Sequence, residues 1–299
     1  MIAPMQKHTA LVKKVYAHYR NHGRHHLPWR KTKNPYYILI SELMLQQTQV
    51  DRVVPKYLLF IKTFPTLEAL AAAPLSSVLL LWSGLGYNRR AQFLHKAAKQ
   101  IAHTFSGKER RELFKNPELL EALPGVGHYT ARAVAAFAAN APVVFVETNI
   151  RTVFFAAIHS SKGATFGTVD NSAGKISDRE LLPHVASALE TALSLGIAPK
   201  DWYAALMDYG AYLKASGVKL NAQSAHYAKQ SKFAGSLRQL RGSLLRALLD
   251  KQLSLRQLTE ACSAQSAPLF TEKQISHALA RLQKEGLIMQ RRGRFCLPD

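Results

Sequence analysis

Residues 123–151 read LPGVGHYTARAVAAFAANAPVVFVETNIR. A Pro-Gly-Val-Gly turn opens the stretch, a helical run rich in Thr and Ala follows, and the extended segment PVVFV leads to Glu147, directly before a new helical pattern. Backbone N–H groups at a helix N-terminus favour a phosphate. The turn therefore predicts a phosphate anchor at Gly125 to Gly127 with Glu147 doing chemistry close by, and the alternative is an αα turn with a surface acid.

The composition indicates a globular protein with a nucleic-acid partner. The chain has 299 residues, 47% of them hydrophobic, which suits about two domains. Forty Lys and Arg against nineteen Asp and Glu give a net charge of +21, and a basic surface binds nucleic acid by releasing counterions. Apolar runs such as residues 78–82 are far below the roughly 20 residues of a membrane span, and no secretory pattern opens the chain. We expect a cytoplasmic, nucleoid-associated protein without membrane contact.

Helical spacing dominates up to about residue 218. A first helix is predicted at residues 8–22, and a largely buried one from Tyr36 to about Phe60, broken near Pro55 and carrying Glu42 inside its apolar face. The polar, Gly-rich residues 160–175 are typical of a long surface loop. We expect one domain over residues 1–218, followed by a basic linker over 219–235.

Residues 236–299 predict a small separate domain. A helix is followed by two capping boxes, Ser254 with Gln257 and Thr271 with Gln274, that open two more. LIMQRRGRFCL at 287–297 then alternates around an Arg-Gly turn, as a β-hairpin does. Three helices and a basic hairpin are typical of a winged helix, whose basic charge suits DNA but also suits a solvated surface.

Three blocks now coincide: LPWR at 27–30 with SELMLQQTQV at 41–50, WSGLGYNRRA at 82–91, and LPGVGHYTARAV through VETNIRTV at 123–153. Together, over roughly residues 8–215, they resemble the helix-hairpin-helix (HhH-GPD) DNA glycosylases, most nearly the A/G-specific adenine glycosylases of the MutY type. The resemblance implies an all-α fold of two helical subdomains flanking a cleft. It also implies a base excision repair enzyme that flips a base out of double-stranded DNA, which we expect to act as a monomer.

The predicted catalytic residues include two carboxylates. Cleaving the bond to adenine requires a proton for the leaving purine, stabilisation of an oxocarbenium-like sugar, and water. Glu42, which matches the family's acid, lies in an apolar context that favours the protonated form. Glu147 lies at a helix start, where the dipole favours negative charge. The structural alternatives are a satisfied buried acid for Glu42 and a helix-start charge for Glu147.

Tyr129 and Asn149 complete the predicted catalytic set. In the bifunctional members of the family a Lys at the position of Tyr129 attacks the sugar and forms a Schiff base, which a phenol cannot do. The resemblance therefore implies a monofunctional glycosylase, with Tyr129 beside the catalytic carboxylate and Asn149 as a further polar neighbour.

The resemblance also implies contacts to DNA. Gln47 and Tyr87 match residues that enter the base stack and hold the gap left by flipping, while Arg30 is predicted to contact the flipped base or a phosphate. The hairpin carbonyls around residues 122–127 match those that hold a monovalent cation. The remaining predicted DNA contacts are Arg89, Gly125, Val126, Gly127, His128, Thr130, Lys229 and Lys232.

The chain departs from the family at three places. The family has Asp at the position of Glu147, and a misplacement of about 1 Å can cost on the order of a hundredfold in rate. The cysteines that hold an iron–sulfur cluster are absent after residues 202–215, and Cys262 and Cys296 lack metal-site spacing, so we predict no cluster and no other metal site. The basic segment 219–241 is proposed to contact phosphate in the cluster's place.

The third departure concerns the partner base. The winged-helix-like segment replaces the family's domain that recognises 8-oxoguanine, so the sequence does not support a preference for adenine opposite that base. A thymine or uracil mismatch glycosylase on the same scaffold is therefore one alternative. A non-catalytic DNA-binding protein is another, against which Glu42 and Tyr129 argue.

Overall fold

The computed structural model describes residues 8–160, 175–225, 227, 232–265 and 270–299. Within these ranges the chain forms fifteen α-helices and one two-stranded sheet, which confirms the all-α fold. Nearly all of the predicted loop at 160–175 lies outside them. The helices are α1 Thr9–His22, α2 Pro35–Leu45, α3 Val50–Thr63, α4 Leu67–Ala72, α5 Leu75–Trp82, α6 Arg89–Thr104, α7 Gly107–Leu113, α8 Pro117–Glu121, α9 His128–Ala139, α10 Thr148–Ser160, α11 Asp178–Ser194, α12 Pro199–Ala215, α13 Leu237–Ala247, α14 Leu255–Gln265 and α15 Glu272–Lys284.

The chain divides into two compact units. Unit one holds residues 8–38, 111–122 and the described part of 126–229. Unit two holds residues 39–110, 123–125 and the described part of 230–299. The C-terminal helices therefore share a unit with α3 to α6, while the predicted domain boundaries at residues 218 and 235 stay a prediction.

Unit one is built on α1 and on α9 to α12. Its core contains Phe154, Trp202 and Tyr203, all fully buried. Gly210 lets α12 approach the start of α10, since a Cβ at this glycine would lie 2.3 Å from the carbonyl oxygen of Asn149. The close approach fixes the backbone next to Glu147.

Unit two has an aromatic core between α3 and α5, where the rings of Phe60 and Trp82 meet edge to face with centroids 6.1 Å apart. The predicted helix break at Pro55 is wrong. Helix α3 continues through Pro55, and the interruption falls at residues 46–49, between α2 and α3. Gln47 in this turn has a left-handed backbone with a φ of 55°. The helix is therefore interrupted at Gln47 and not at the proline.

The C-terminal segment holds α13 to α15 and then β1 Met289–Arg291 and β2 Arg294–Cys296, which pair antiparallel. Arg292 and Gly293 in the turn have φ values of 48° and 75°, as a type I′ hairpin requires. Leu253 before α14 also pairs with Phe295 on β2. The predicted helices and hairpin are present, and the winged-helix assignment stays a prediction.

Among the helices that the structure describes, none is long and apolar enough to cross a membrane.

Candidate functional site

Two turns in unit two carry Gln47 and Tyr87, the residues predicted to enter the base stack. Both have left-handed backbones, with φ values of 55° and 48°. Such conformations cost on the order of 1–3 kcal/mol each in residues other than glycine and persist only where the surrounding structure holds them. Strained turns of this kind cluster at functional sites, so the geometry fits the predicted role.

Arg90 at the start of α6 holds both turns. Its Nη1 donates to the carbonyl oxygens of Leu43 and Met44 at 2.7 and 3.1 Å. Its Nη2 donates to those of Leu85 and Gly86 at 3.3 and 3.0 Å. Burial lowers the pKa of Arg90 to about 10, so the guanidinium is still charged near neutral pH. One buried cation thus ties the end of α2 to the turn that precedes α6.

The neighbouring Arg89 faces a different environment. Its side chain is 56% exposed, its Nε lies 4.0 Å from a carboxylate oxygen of Glu285, and its Cζ lies 5.1 Å from the centre of the Phe93 ring. Arg89 was predicted to bind DNA and is accessible for it. Arg90 was not singled out, because two adjacent arginines in a sequence do not show which of them becomes buried.

The hairpin between α8 and α9 depends on Gly125. This residue has a φ of +75°, and a Cβ here would lie 2.4 Å from the Cβ of Phe93, so the position requires glycine. Gly127 is the N-cap of α9, and a Cβ there would meet nothing within 4 Å. The predicted phosphate anchor therefore combines one sterically fixed glycine with one that leaves open space at a helix N-terminus.

The other predicted hairpin contacts differ in exposure. His128 has a side chain that is 62% exposed, with its Nδ1 3.0 Å from a carboxylate oxygen of Glu121. Val126 and Thr130 are buried at 4% and 2% exposure. The side chain of His128 is thus accessible to DNA, whereas the side chains of Val126 and Thr130 pack inside unit one.

Glu147 is the N-terminal cap of α10. Its Oε1 accepts the backbone N–H groups of Asn149 and Ile150 at 2.7 and 3.0 Å, and its Oε2 accepts the side-chain amide of Asn149 at 3.2 Å. These donors hold the carboxylate at the positive end of the helix dipole. The structure therefore brings together two of the four predicted catalytic residues, Glu147 and Asn149.

Tyr129 lies in the first turn of α9, against an aromatic column. Its ring meets that of Phe145 edge to face with centroids 5.7 Å apart, and Phe145 stacks on Tyr203 at 4.0 Å. The hydroxyl of Tyr203 donates to the carbonyl oxygen of Val143 at 2.6 Å, and burial raises the pKa of this phenol. The column holds the extended segment before Glu147 against α12.

Glu42 lies in α2 and is 6% exposed. It belongs to unit two, whereas Tyr129, Glu147 and Asn149 belong to unit one. The four predicted catalytic residues are thus divided between the two units.

Arg30 is anchored by a carboxylate that sequence reasoning missed. Asp208 on α12 is 4% exposed and accepts from the backbone N–H of Arg24 at 2.9 Å, the Nε of Arg24 at 2.8 Å and the Nη2 of Arg30 at 3.4 Å. The Nη1 of Arg30 is buried and has no hydrogen-bond partner in the described part of the chain. The described residues therefore leave one buried donor of Arg30 unsatisfied.

The remaining predictions concern lysines and metals. Lys232 is exposed, and Lys229 lies outside the described residues.

Over the described ranges no three His, Cys, Asp or Glu side chains come together as metal ligands would. Cys262 and Cys296 are buried as free thiols, and burial raises the pKa of Cys262. Two cysteines do not fit the four-thiolate ligand set of an iron–sulfur cluster.

Comparison with known proteins places this chain in a family. Residues 40–167 match the model of the HhH-GPD superfamily base excision DNA repair proteins. The adenine DNA glycosylase of Mycolicibacterium smegmatis is 36% identical over an alignment of 293 positions that covers 93% of this chain and 92% of that protein. The adenine DNA glycosylase of Mycobacterium tuberculosis is 33% identical over an alignment of 289 positions that covers 91% of this chain and 88% of that protein.

A solved structure agrees with the fold. The structure of a thermostable thymine-DNA glycosylase covers 74% of this chain and 97% of its own, with a TM-score of 0.54 at 24% identity. The chain therefore belongs to the HhH-GPD superfamily of base excision DNA repair proteins and, within it, to the family of the adenine DNA glycosylases, and it is a DNA N-glycosylase.

Proposed function

We propose that this protein excises adenine from mispaired double-stranded DNA by hydrolysis and leaves an abasic site with the strand intact. The observation that carries the choice of adenine is the similarity to the adenine DNA glycosylase of M. smegmatis over 93% of the chain, which includes most of both units.

The proposed chemistry divides the work between two carboxyl groups. Glu42, buried at 6% exposure, is the proposed general acid, which donates a proton to the leaving purine as the bond to the sugar breaks. The carboxylate of Glu147, fixed by its helix-capping hydrogen bonds, stabilises the positive charge on the sugar. Water then adds to the sugar carbon and loses its surplus proton to a carboxylate. Free adenine and an abasic site are the products.

Tyr129 supports the monofunctional reaction. A lyase of this family needs an amine that forms a Schiff base with the sugar, and the phenol of Tyr129, packed against Phe145, cannot form one. We propose that Tyr129 and Asn149 position the sugar and the Glu147 carboxylate. Arg30, anchored by Asp208, is proposed to contact the flipped base or its phosphate.

Base release from defined duplexes tests this function. Duplexes with every mispair and the common lesions are incubated with the protein, and free base and abasic sites are quantified. We expect adenine release from A opposite G or 8-oxoguanine, and intact strands until alkali is added. Glu42→Gln is expected to stop release while duplex binding survives. Release of thymine or uracil instead would exclude adenine as the substrate, and a covalent adduct trapped by borohydride would exclude the monofunctional reaction.

We also propose that the protein works as a monomer without an iron–sulfur cluster, with Lys232 and Lys229 of the basic linker contacting phosphate. Since the chain has two cysteines and a cluster takes four thiolates, the purified protein is expected to contain no stoichiometric iron and to show no cluster absorbance in the visible range. Iron at four atoms per chain would refute this.

The hairpin carbonyls at 122–127 are proposed to hold a monovalent cation facing a phosphate.

A further inference from the structure

Lys214 lies in the last turn of α12, four residues after Gly210, and is half-buried. Side chains four residues apart share one face of a helix, so Lys214 continues the face of α12 that Gly210 presents to the start of α10. The two backbones are close there, because a Cβ on Gly210 would lie 2.3 Å from the carbonyl oxygen of Asn149. A lysine therefore lies beside the helix start that Glu147 caps, and no step proposed above uses it.

The charges that act on Lys214 come from other elements of unit one. Burial lowers the pKa of Lys214 below its ordinary value of 10.5, the carboxylate of Glu147 raises it, and the guanidinium of Arg24 lowers it. Arg24 is itself held by Asp208, whose carboxylate oxygen lies 2.8 Å from its Nε. Glu147 is thus the opposite charge that the Lys214 ammonium faces.

Arg151 on α10 also interacts with Glu147, but it is engaged elsewhere. Its guanidinium forms two hydrogen bonds with the carboxylate of Asp178, at 2.5 and 2.6 Å, so most of its charge is directed at that partner. The hydrogen-bond donors to Glu147 described above all belong to the first turn of α10. Lys214 differs from them because it attracts the carboxylate from a second helix.

We propose that Lys214 is a positioning residue for base release, and that its ammonium fixes the Glu147 carboxylate at one place between α10 and α12. The proposal rests on the proposed function, in which this carboxylate stabilises the positive charge on the sugar. Opposite charges attract more strongly in a partly buried site than in water, and a displacement of about 1 Å can cost on the order of a hundredfold in rate. Lys214 acts through Glu147 and needs no contact with the DNA.

Substitutions of Lys214 in the whole chain test this role by single-turnover release of adenine opposite guanine. Lys214→Met keeps the length of the side chain and removes its charge, so release should slow by about 3- to 100-fold, the range that coupling energies between neighbouring residues correspond to. Lys214→Arg keeps the charge and should restore most of the rate. All three proteins should bind a duplex with a tetrahydrofuran abasic analogue equally well. Binding that weakens as much as the rate in Lys214→Met would show that Lys214 contacts phosphate, and would overturn the proposal.

A double-mutant cycle shows whether Lys214 acts through Glu147. In the Glu147→Gln background, Lys214→Met should cause no further loss of release, because the carboxylate that the ammonium attracts is gone. An equal loss in both backgrounds would overturn the proposal, as would an unchanged or faster rate in Lys214→Met alone.

The pH dependence separates the charge of Lys214 from its packing. A lysine with a lowered pKa is charged at neutral pH and loses its charge as the pH rises through the lowered value. The ratio of the wild-type rate to the Lys214→Met rate should therefore shrink between about pH 7 and pH 9.5. A constant ratio would mean that methionine only disturbs packing, and would contradict the positioning role. Lys13→Met, on the exposed surface of α1 in the same unit, is the control and should match the wild type at every pH.

Thermal melting without DNA measures the attraction between Lys214 and Glu147 independently of catalysis. The double variant should lose less melting temperature than the sum of the two single variants, because each single variant already removes the attraction. A protein that shows this coupling but releases no adenine would refute only the proposed function. A protein that releases adenine without this coupling would refute only the role of Lys214.

Discussion

Glu147 is both a helix cap and a candidate catalytic group, and the two roles are separable by substitution. Glu147→Gln keeps the size of the side chain but removes the charge that faces the dipole of α10. We expect base release to fall by roughly 10²- to 10³-fold, the usual effect of losing one electrostatic stabiliser of a transition state. The free energy of unfolding should fall by about 0.5–2 kcal/mol, as it does when other helix N-caps are lost. Single-turnover base release and thermal melting measure the two effects.

Glu180→Gln is the control for the cap. Glu180 accepts the backbone N–H of Ser177 at 2.7 Å in the capping box of α11, so the variant perturbs a helix start in the same unit without touching a catalytic candidate. Base release should be unchanged in Glu180→Gln. A similar loss of activity in both variants would mean that Glu147 acts through stability alone.

At the scale of single residues, the sequence could identify candidate site residues only where they lie in a recognisable motif. It could single out Gln47, Tyr87 and Glu147 because they stand in recognisable blocks. It missed Asp208 because the carboxylate meets Arg24 across 184 residues of chain, and only packing shows that pair. Arg90 was missed for the same reason, since its role is defined by carbonyl groups from two other turns.

At the scale of elements, the hairpin depends on Gly125. Gly125→Ala forces a Cβ into Phe93 and places alanine at a φ of +75°. We expect the free energy of unfolding to fall by more than about 1 kcal/mol, since alanine at a positive φ is strained. Thermal or denaturant melting measures the change.

Gly127→Ala is the matched variant of the hairpin. The φ of Gly127 is −88°, and the added methyl meets nothing within 4 Å, so stability should be unchanged or slightly higher. Its affinity for duplex DNA should nevertheless fall if a phosphate approaches this helix N-terminus. Equal destabilisation by the two substitutions would contradict the steric role of Phe93.

The helix interruption at residues 46–49 shows where element prediction from sequence stops. Proline is the strongest local signal for a break because it removes a backbone donor, and Pro55 was chosen on that ground. The break instead follows α2, whose last carbonyl groups receive the hydrogen bonds of the buried Arg90. A donor that arrives from another element cannot be read from local sequence.

At the scale of the whole molecule, the C-terminal segment is joined to the rest of unit two. Gln92 on α6 donates to the carbonyl oxygens of Glu285 and Gly286 at 2.8 and 3.1 Å, and Arg241 on α13 pairs with the Glu285 carboxylate. The sequence predicted the helices and hairpin of this segment from capping boxes and alternation. It could not predict which part of the chain the segment packs against, because those contacts are made by isolated polar residues.

The contact between Glu285 and its neighbouring arginines predicts that the stability of the protein depends on pH in the acid range. Burial disfavours the Glu285 carboxylate, but Arg241, Arg89 and Arg281 outweigh that effect and hold the pKa of Glu285 below its ordinary value of 4.5. A lowered carboxyl pKa contributes stability that is present above the unfolded value and is lost as the pH falls through the folded value. The melting temperature of wild-type protein should therefore exceed that of Glu285→Gln near pH 6, and the difference should shrink below about pH 4.5.

Glu260→Gln is the control, since Glu260 is 62% exposed and pairs with Arg256 of the same helix. Its melting temperature should follow that of the wild type at every pH. A constant difference between wild type and Glu285→Gln across the whole range would show that the charge of Glu285 does not tie the C-terminal helices to α6.

The guanidinium of Arg90 has a kinetic consequence for the search along a genome. Because it fixes the turns of Gln47 and Tyr87 as the chain folds, the conformational entropy of ordering them is lost once, on folding, and not at every encounter with DNA. A protein that inspects base pairs with preformed probes can test each one within a brief residence. Arg90 should therefore strengthen every encounter with DNA, because the turns need no further ordering when the duplex binds.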